Sequence, residues 1–246
     1  PKPSSAASDV YKRQVLYDHG EYSLVVTVQE LISSTTLPKD DIIALDPGVR
    51  TFMTGYSPNG VECKFGDAHM ERMKALHKKI DALRSVRDKA IRRRTRWRLK
   101  QRLANLEMAL YNNIEDLHNQ TASILSSRFG SVLLPRFGTS KMLVGEGIGS
   151  TTKRRMQGLN HYRFQQKLQG LCAKNKCNLY IVDESYTTMT CGACGKLDPN
   201  VGSAKLFVCS CGYSQDRDIH GARNIWIKTM TENGALTYAP KTIASE

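Results

Sequence analysis

Four of the seven cysteines fall within 21 residues, as Cys191-Gly-Ala-Cys194-Gly and Cys209-Ser-Cys211-Gly. Two thiolate pairs on knuckles separated by 14 residues suit one tetrahedral zinc ion, and each following glycine permits the positive φ that turns backbone amides toward sulfur. The second pair is C-x-C, a tighter bite than the commoner C-x2-C. Four sulfurs leave no position for water, so the expected zinc is structural and stabilises a segment too small for its own core. The competing reading is a redox C-x-x-C pair or a fortuitous cluster. Cys63, Cys172 and Cys177 are scattered in apolar or helical surroundings and are expected to be small buried or half-buried thiols. Clustered knuckles indicate metal use in a reducing compartment, not a disulfide framework.

A second kind of chemistry could come from carboxylates. Asp46 ends one apolar run, Asp183-Glu184 ends another, and Asp216-Arg217-Asp218 opens a helical stretch. Carboxylates converging from separated segments can hold two magnesium ions roughly 4 Å apart, activating water on one side of a phosphodiester and stabilising the leaving oxygen on the other. Singly, each acid has an ordinary alternative: an Asp before Pro-Gly forms turns, and Asp-Arg-Asp before a helix caps it.

The chain is strongly basic, with a formal net charge of +13, and an excess of that sign serves a polyanion such as nucleic acid. Arg92, Arg93, Arg94, Arg96, Arg98, Lys100 and Arg102 place seven cations in eleven residues, with Trp97 among them. Phosphate backbone is the expected partner; the alternative is a merely solvated charge run. Lys153, Arg154 and Arg155 form a second patch suited to a DNA strand. His118, His161 and His220 have no partnered spacing and are expected to be structural, and Arg223 is either a phosphate contact or a surface residue. No run of 18 or more apolar residues occurs and residues 15–26 lack the form of a secretory signal, so no membrane association is expected.

The elements that must position these groups emerge from periodicity. Residues 22–31 alternate as a strand. From residue 42 the pattern becomes strand, Pro-Gly turn, strand, Pro-Asn-Gly turn, strand, an antiparallel meander with Asp46 at the end of its first strand. No Gly or Pro occurs between Asp67 and Phe129, and apolar residues recur at helical spacing, with a phase slip over residues 92–98 that places a hairpin there. Residues 131–134 and 179–182 read as buried strands, residues 151–176 as a helix, and residues 217–230 as a closing helix.

In this order the segments resemble a known family. ALDPGVRTFMTGYSPNG, HYRFQQKL, ESYTTMTCGACG and CSCGYSQDRDIHGARNI look like the first RuvC motif, connecting helix, zinc ribbon and last RuvC motif of TnpB-type proteins. The resemblance is strongest to Fanzor, their eukaryotic and viral relatives, and both are similar to type V CRISPR effectors. It implies an α/β, RNase H-like (RuvC) mixed sheet with an inserted helical hairpin and a four-Cys ribbon, acting as a magnesium-dependent, RNA-guided DNA endonuclease. Carried over by motif, the catalytic carboxylates are Asp46, Glu184 and Asp218. Where the bacterial pattern expects a glutamate this chain has Arg136; Glu184 matches the relocated glutamate of Fanzor-like proteins, Glu146 is the alternative, and loss of the middle ligand is the third reading. The basic helix would track guide RNA or the RNA–DNA duplex by shape. Two readings compete with the guided nuclease: a catalytically inactive binding protein left by a decayed transposon, and a nuclease or transposase of the same fold that needs no guide. The setting implied is intracellular, nuclear in a eukaryotic host.

Residues 4–14 match the translation of a common tagmentation sequencing adapter, so residues 1–14 are expected to be an artefact and 15–40 the stub of a truncated β domain. The remaining expected divisions are 41–66, 131–187 and 215–232 for the RuvC parts, 67–130 for the helical hairpin, 188–214 for the ribbon and 233–246 for a flexible tail.

Overall fold

The computed structural model describes residues 13–18, 21–26, 41–136, 149–198 and 204–232. The chain divides into two compact units, one formed by residues 1–35 and 72–113 and the other by 36–71 and 114–246. The division falls inside helices α1 (Asp67–Lys89) and α2 (Arg93–Arg128), not at their ends. The last 15 residues of α2, about four turns, therefore belong to the unit that contains the large sheet.

In the first unit, strands β1 (Arg13–Asp18) and β2 (Glu21–Val26) form an antiparallel hairpin, with Val15 opposite Leu24 and Tyr17 opposite Tyr22. The hairpin reaches back to Arg13 and Gln14, and its apolar side chains on both faces are exposed. The helical part buries Met73, Leu76 and Ile80 from α1 and Leu99 and Leu103 from α2, spacings of three and four that put each set on one face. Arg84 Nη2 donates to Glu107 Oε1 at 2.7 Å, joining the two helices. The break between them lies at residues 90–92, earlier than the phase slip suggested, so Arg93 to Arg98 are already helical. Packing of Leu99 and Leu103 decides that register; the arginines, all exposed, do not.

The second unit is built on a mixed sheet of order β5-β4-β3-β6-β7: β3 (Ile42–Pro47), β4 (Met53–Tyr56), β5 (Glu62–Phe65), β6 (Ser131–Pro135) and β7 (Asn178–Val182). The meander β3-β4-β5 is antiparallel as its two turns require, while β3, β6 and β7 run parallel. Residues 151–176, expected as one helix, are two: α3 (Ser150–Leu159) and α4 (His161–Asn175). Asn160 separates them at φ 44°, ψ 57°, and its side chain accepts from Arg163 N at 3.4 Å. Asparagine tolerates the left-handed region and here also caps α4, a combination that helical periodicity alone does not reveal.

Successive residues of β3 face opposite sides of the sheet. Ala44 packs with Leu133 and Ile225 of helix α5 (Arg217–Glu232), with Trp226 and Met230 against them. Asp46 shares the face of Ala44. A second cluster forms around buried Phe52, which stacks with His118 and His161 at centroid distances of 5.4 and 5.3 Å and meets Phe164 edge-on at 5.0 Å. Both imidazoles are thus core residues. Burial lowers their pKa values, to about 4 for His118 and about 3 for His161. Among the described residues no helix is long and apolar enough to cross a membrane.

Candidate functional site

The parallel strands end together. β6 and β7 pair Pro135 with Val182, and β3 pairs Ala44 with Leu133, so Asp46, Arg136 and Glu184 leave the sheet at one edge, the carboxyl edge where open α/β sheets form their crevices. A cavity of about 640 Å³ lies there, lined by Asp46, Glu184, Asp216 and Asp218 together with Arg50, Lys64, Lys205 and Arg217. The structure therefore brings Asp46, Glu184 and Asp218 together. Arg136 is exposed and does not line the cavity; its backbone N–H continues the pairing to Val182 O at 3.0 Å. Glu146 lies outside the described residues.

Each carboxylate has a distinct local role. Asp216 ends strand β9 (Ser214–Asp216), which pairs with β8 (Leu206–Val208), and caps α5, accepting from Asp218 N at 3.0 Å and Ile219 N at 3.3 Å; it also pairs with Lys64 Nζ at 2.7 Å. Burial pushes its pKa up, but Lys64 and the cap amides outweigh that and hold it below the usual carboxylate range. The capping reading of Asp-Arg-Asp thus applies to its first Asp, and Asp218, one residue inside the helix, is left to face the cavity. The Asp183-Glu184 pair is sorted the same way. Asp183 accepts from Lys228 Nζ at 2.5 Å and from Ser185 Oγ at 2.9 Å, while Glu184 lines the cavity and has its pKa raised by burial and by Asp183.

Asp46 is the most perturbed of the three. Burial first, then the charges of Asp218 and Glu184, push its pKa up to about 8 against the opposing pull of Arg217. An acidic cluster whose members repel one another in this way fits a divalent cation, which would reverse that repulsion. The carboxylates are not gathered as a single-ion cage: among the described residues, only the four cysteines form a group of three or more such donors with ligand atoms within 4.8 Å.

That cysteine group has the make-up of a structural zinc site. Cys191 Sγ lies 3.8 Å from Cys211 Sγ, and Cys194 Sγ lies 3.7 Å from Cys209 Sγ. Four sulfurs at the Zn–S distance of about 2.3 Å define a tetrahedron with edges of about 3.8 Å, so the spacing fits the ion and includes Cys209 despite the short C-x-C bite. The first knuckle closes through Gly195 N to Cys191 O at 2.9 Å and the second through Gly212 N to Cys209 O at 3.0 Å, with both glycines at positive φ. The amide of Cys211 holds the Cys209 thiol down to about 6. Cys63 is half-buried and Cys172 and Cys177 are buried, as small core thiols.

The contacts that seat this ribbon on the sheet were not legible as functional residues in the sequence. His220 stacks on Phe207 of β8 at 3.9 Å, and its Nε2 lies 2.9 Å from Thr190 O. Asn224 Nδ2 donates to Thr187 O at 2.7 Å and to Thr190 O at 2.6 Å. Those two bonds use both of its protons, so the 3.0 Å approach of Asn224 to His220 Nε2 is not a third, and His220 carries its proton on Nε2. Arg223 donates to Tyr213 Oη at 2.8 Å and lies over its ring, a docking contact and not a free surface cation. Gly221 lets α5 approach β3: a Cβ there would sit 2.6 Å from Asp46 Oδ2. One turn of α5 thus binds the segment after Glu184, receives the zinc knuckles and leaves room for Asp46.

Residues 161–225 match the family model described as Cas12f1-like, TNB domain. R186 of Acanthamoeba polyphaga mimivirus, provisionally named a transposase, is 31% identical over 98% of this chain and 51% of its own length. The TnpB-like protein L79 of the same virus is 27% identical over 85% of this chain and 41% of its own. These matches make the chain similar to the TnpB/Fanzor/Cas12f-like family of transposon-associated proteins. The CRISPR-associated endodeoxyribonuclease Cas12f1 of Sulfoacidibacillus thermotolerans is 31% identical over 38% of the chain and 22% of its own length. The solved Cas12f1–sgRNA–target DNA complex shares the fold of this TnpB-like chain with a TM-score of 0.53 at 19% identity, over 86% of this chain and 54% of that one. The chain spans about half the length of the curated relatives it matches.

The two basic runs fall in different units. Arg92, Arg93, Arg94, Arg96, Arg98, Lys100 and Arg102 are all exposed, at the tip of the helical pair. The first turn of α2 carries no acid, so these cations crowd the positive end of a helix dipole, which costs helix stability. Lys153, Arg154 and Arg155 are half-buried on the first turns of α3.

Proposed function

We propose that the chain is the nuclease-bearing part of an RNA-guided DNA endonuclease, hydrolysing phosphodiesters at the cavity of Asp46, Glu184 and Asp218. The observation that carries this reading is their convergence from three separate segments with a rim of Arg50, Lys64, Lys205 and Arg217. Magnesium bound there would polarise the phosphate and lower the pKa of the attacking water. The chain's own part is to hold three carboxylates at the strand edge and helix start, and to present cations to the phosphate. Asp46 must first give up a proton, which burial first and then the charges of Asp218 and Glu184 favour on it in the metal-free state.

The cations of residues 92–102 bind the phosphate backbone without reading sequence, and Lys153, Arg154 and Arg155 guide a DNA strand. Guidance by RNA is supported by the family alone, and an intracellular site of action, nuclear in a eukaryotic host, belongs to the same reading. The zinc ribbon supports the cavity and takes no part in bond cleavage, because four sulfurs leave zinc no open position.

The test is cleavage of single-stranded and guide-matched DNA with magnesium by the full-length protein, beside Asp46→Ala, Glu184→Ala, Asp218→Ala and Glu146→Ala. Loss of about a hundred- to a thousandfold in the first three with Glu146→Ala unaffected is expected, the order seen when a catalytic electrostatic group is removed. Glu184→Ala cutting as well as the parent would remove it from the site. Binding without cleavage in the parent would make the protein a nucleic-acid-binding remnant, and cleavage with no copurifying RNA would make it a guide-independent nuclease.

A further inference from the structure

Trp97 sits within the run of seven cations and is 61% exposed. On α2 it lies roughly opposite the inward Leu99 and Leu103, at the centre of the solvent face (3.6 residues per turn). Its helical neighbours at i−4, i−3 and i+3 are Arg93, Arg94 and Lys100, all exposed. Arg93 and Lys100 bracket it across two turns, roughly 10 Å along the axis. A large apolar ring inside a ring of cations is poorly placed for a protein core and poorly placed for a regular duplex, whose bases offer it no open face. It suits a strand with unpaired bases, where a base stacks on the aromatic face and the flanking phosphates meet the cations.

We propose that the Trp97 face of α2 binds a single-stranded stretch of nucleic acid, one unpaired base stacking on the indole while Arg93, Arg94 and Lys100 hold neighbouring phosphates. The inference rests on the reading of this run as a nucleic-acid contact and adds the paired state of the strand. The charge complementarity is direct: the seven cations of residues 92–102 lie on a chain of net charge +13.

The protein carries its own internal control. It has two tryptophans, and the other, Trp226, is half-buried against the cluster of Ala44, Leu133 and Ile225. Titrating the chain with oligo(dT), oligo(U) and a duplex of equal length should quench Trp97 emission with the single strands and leave a residual Trp226 signal. Trp97→Ala should abolish the quench and weaken single-strand binding on the order of tenfold. Its duplex affinity and salt dependence should stay unchanged, because the charges remain.

The double substitution Arg93→Glu, Arg94→Glu should weaken single strand and duplex alike. If Trp97→Ala leaves single-strand affinity unchanged, or lowers duplex affinity equally, the stacking role is overturned while the phosphate reading stands. If the charge reversal leaves all binding unchanged, the phosphate reading falls with it.

Discussion

The zinc knuckles and the carboxylate cavity are both assembled from donors on separate segments, but they close in opposite ways. The four sulfurs come from 21 consecutive residues and meet at tetrahedral spacing through two tight glycine turns. The carboxylates come from β3, the end of β7 and the start of α5, and strand register and helix docking alone bring them into one cavity. Local closure favours an ion held permanently. Distant closure gives a site whose members repel one another, with Asp46 pushed to about 8. The difference teaches that affinity for metal and readiness for chemistry are built by different parts of the chain.

Removing zinc breaks the comparison most severely. Structural zinc contributes roughly 10–16 kcal/mol of binding free energy in small domains, so chelation or Cys191→Ser should unfold the ribbon. Hydrogen exchange should rise across residues 184–216 while β3 and β4 keep their protection, and loss of protection in β3 as well would merge the two regions into one folding unit. Asn224→Ala comes next. It leaves the Thr187 carbonyl without its side-chain donor while Thr190 O keeps His220 Nε2, a cost of about 1–3 kcal/mol, and should lower Tm and free the segment after Glu184 with zinc still bound. Zinc content and magnesium-dependent cleavage measured together separate the two losses.

Gly221→Ala should cost about 1–3 kcal/mol, because a Cβ placed 2.6 Å from Asp46 Oδ2 forces α5 or the carboxylate to move. Magnesium-dependent cleavage should fall with zinc retention unchanged. Asp46→Asn should act the other way on stability. A group whose folded pKa is raised destabilises the fold progressively as pH climbs from the unfolded value of 3.8 to about 8. The variant without magnesium should therefore melt a few degrees higher at pH 8, with the gain shrinking toward pH 4; a variant that melts lower at pH 8 contradicts the burial of that charge.

The smallest effect lies away from both sites. His118 and His161 are neutral in the core, with folded pKa values lowered from 6.5 to about 4 and about 3. The unfolded chain binds more protons below 6.5, so stability is full above that pH and declines as pH falls toward 4. His118→Gln, which can keep a donor to Leu159 O, should flatten that decline in melting experiments.

Much of the sheet was legible because its signals are local: alternation, two Pro-containing turns, and short apolar runs ending in acids. The zinc ligands were legible for the same reason, since spacing along the chain nearly equals spacing in the fold. The break at Asn160 was hidden because its flanks keep helical periodicity. The division of labour within Asp216-Arg217-Asp218 and within Asp183-Glu184 depends on Lys64 and Lys228, which lie far from them in sequence. Gly221, His220 and Asn224 looked like ordinary helix residues, and only the approach of α5 to β3 and to the ribbon gives them work.

That same helix sets a clock. The carboxylate of Asp46 leaves the ribosome early and that of Asp218 late, and at about 5–20 residues per second they are separated by roughly ten to thirty seconds of synthesis. Until α5 docks, β3 lacks its covering face and the acidic cluster does not exist. A chain released before its last helix therefore carries the four cysteines and the arginine run but lacks the Arg217 and Asp218 wall of the cavity.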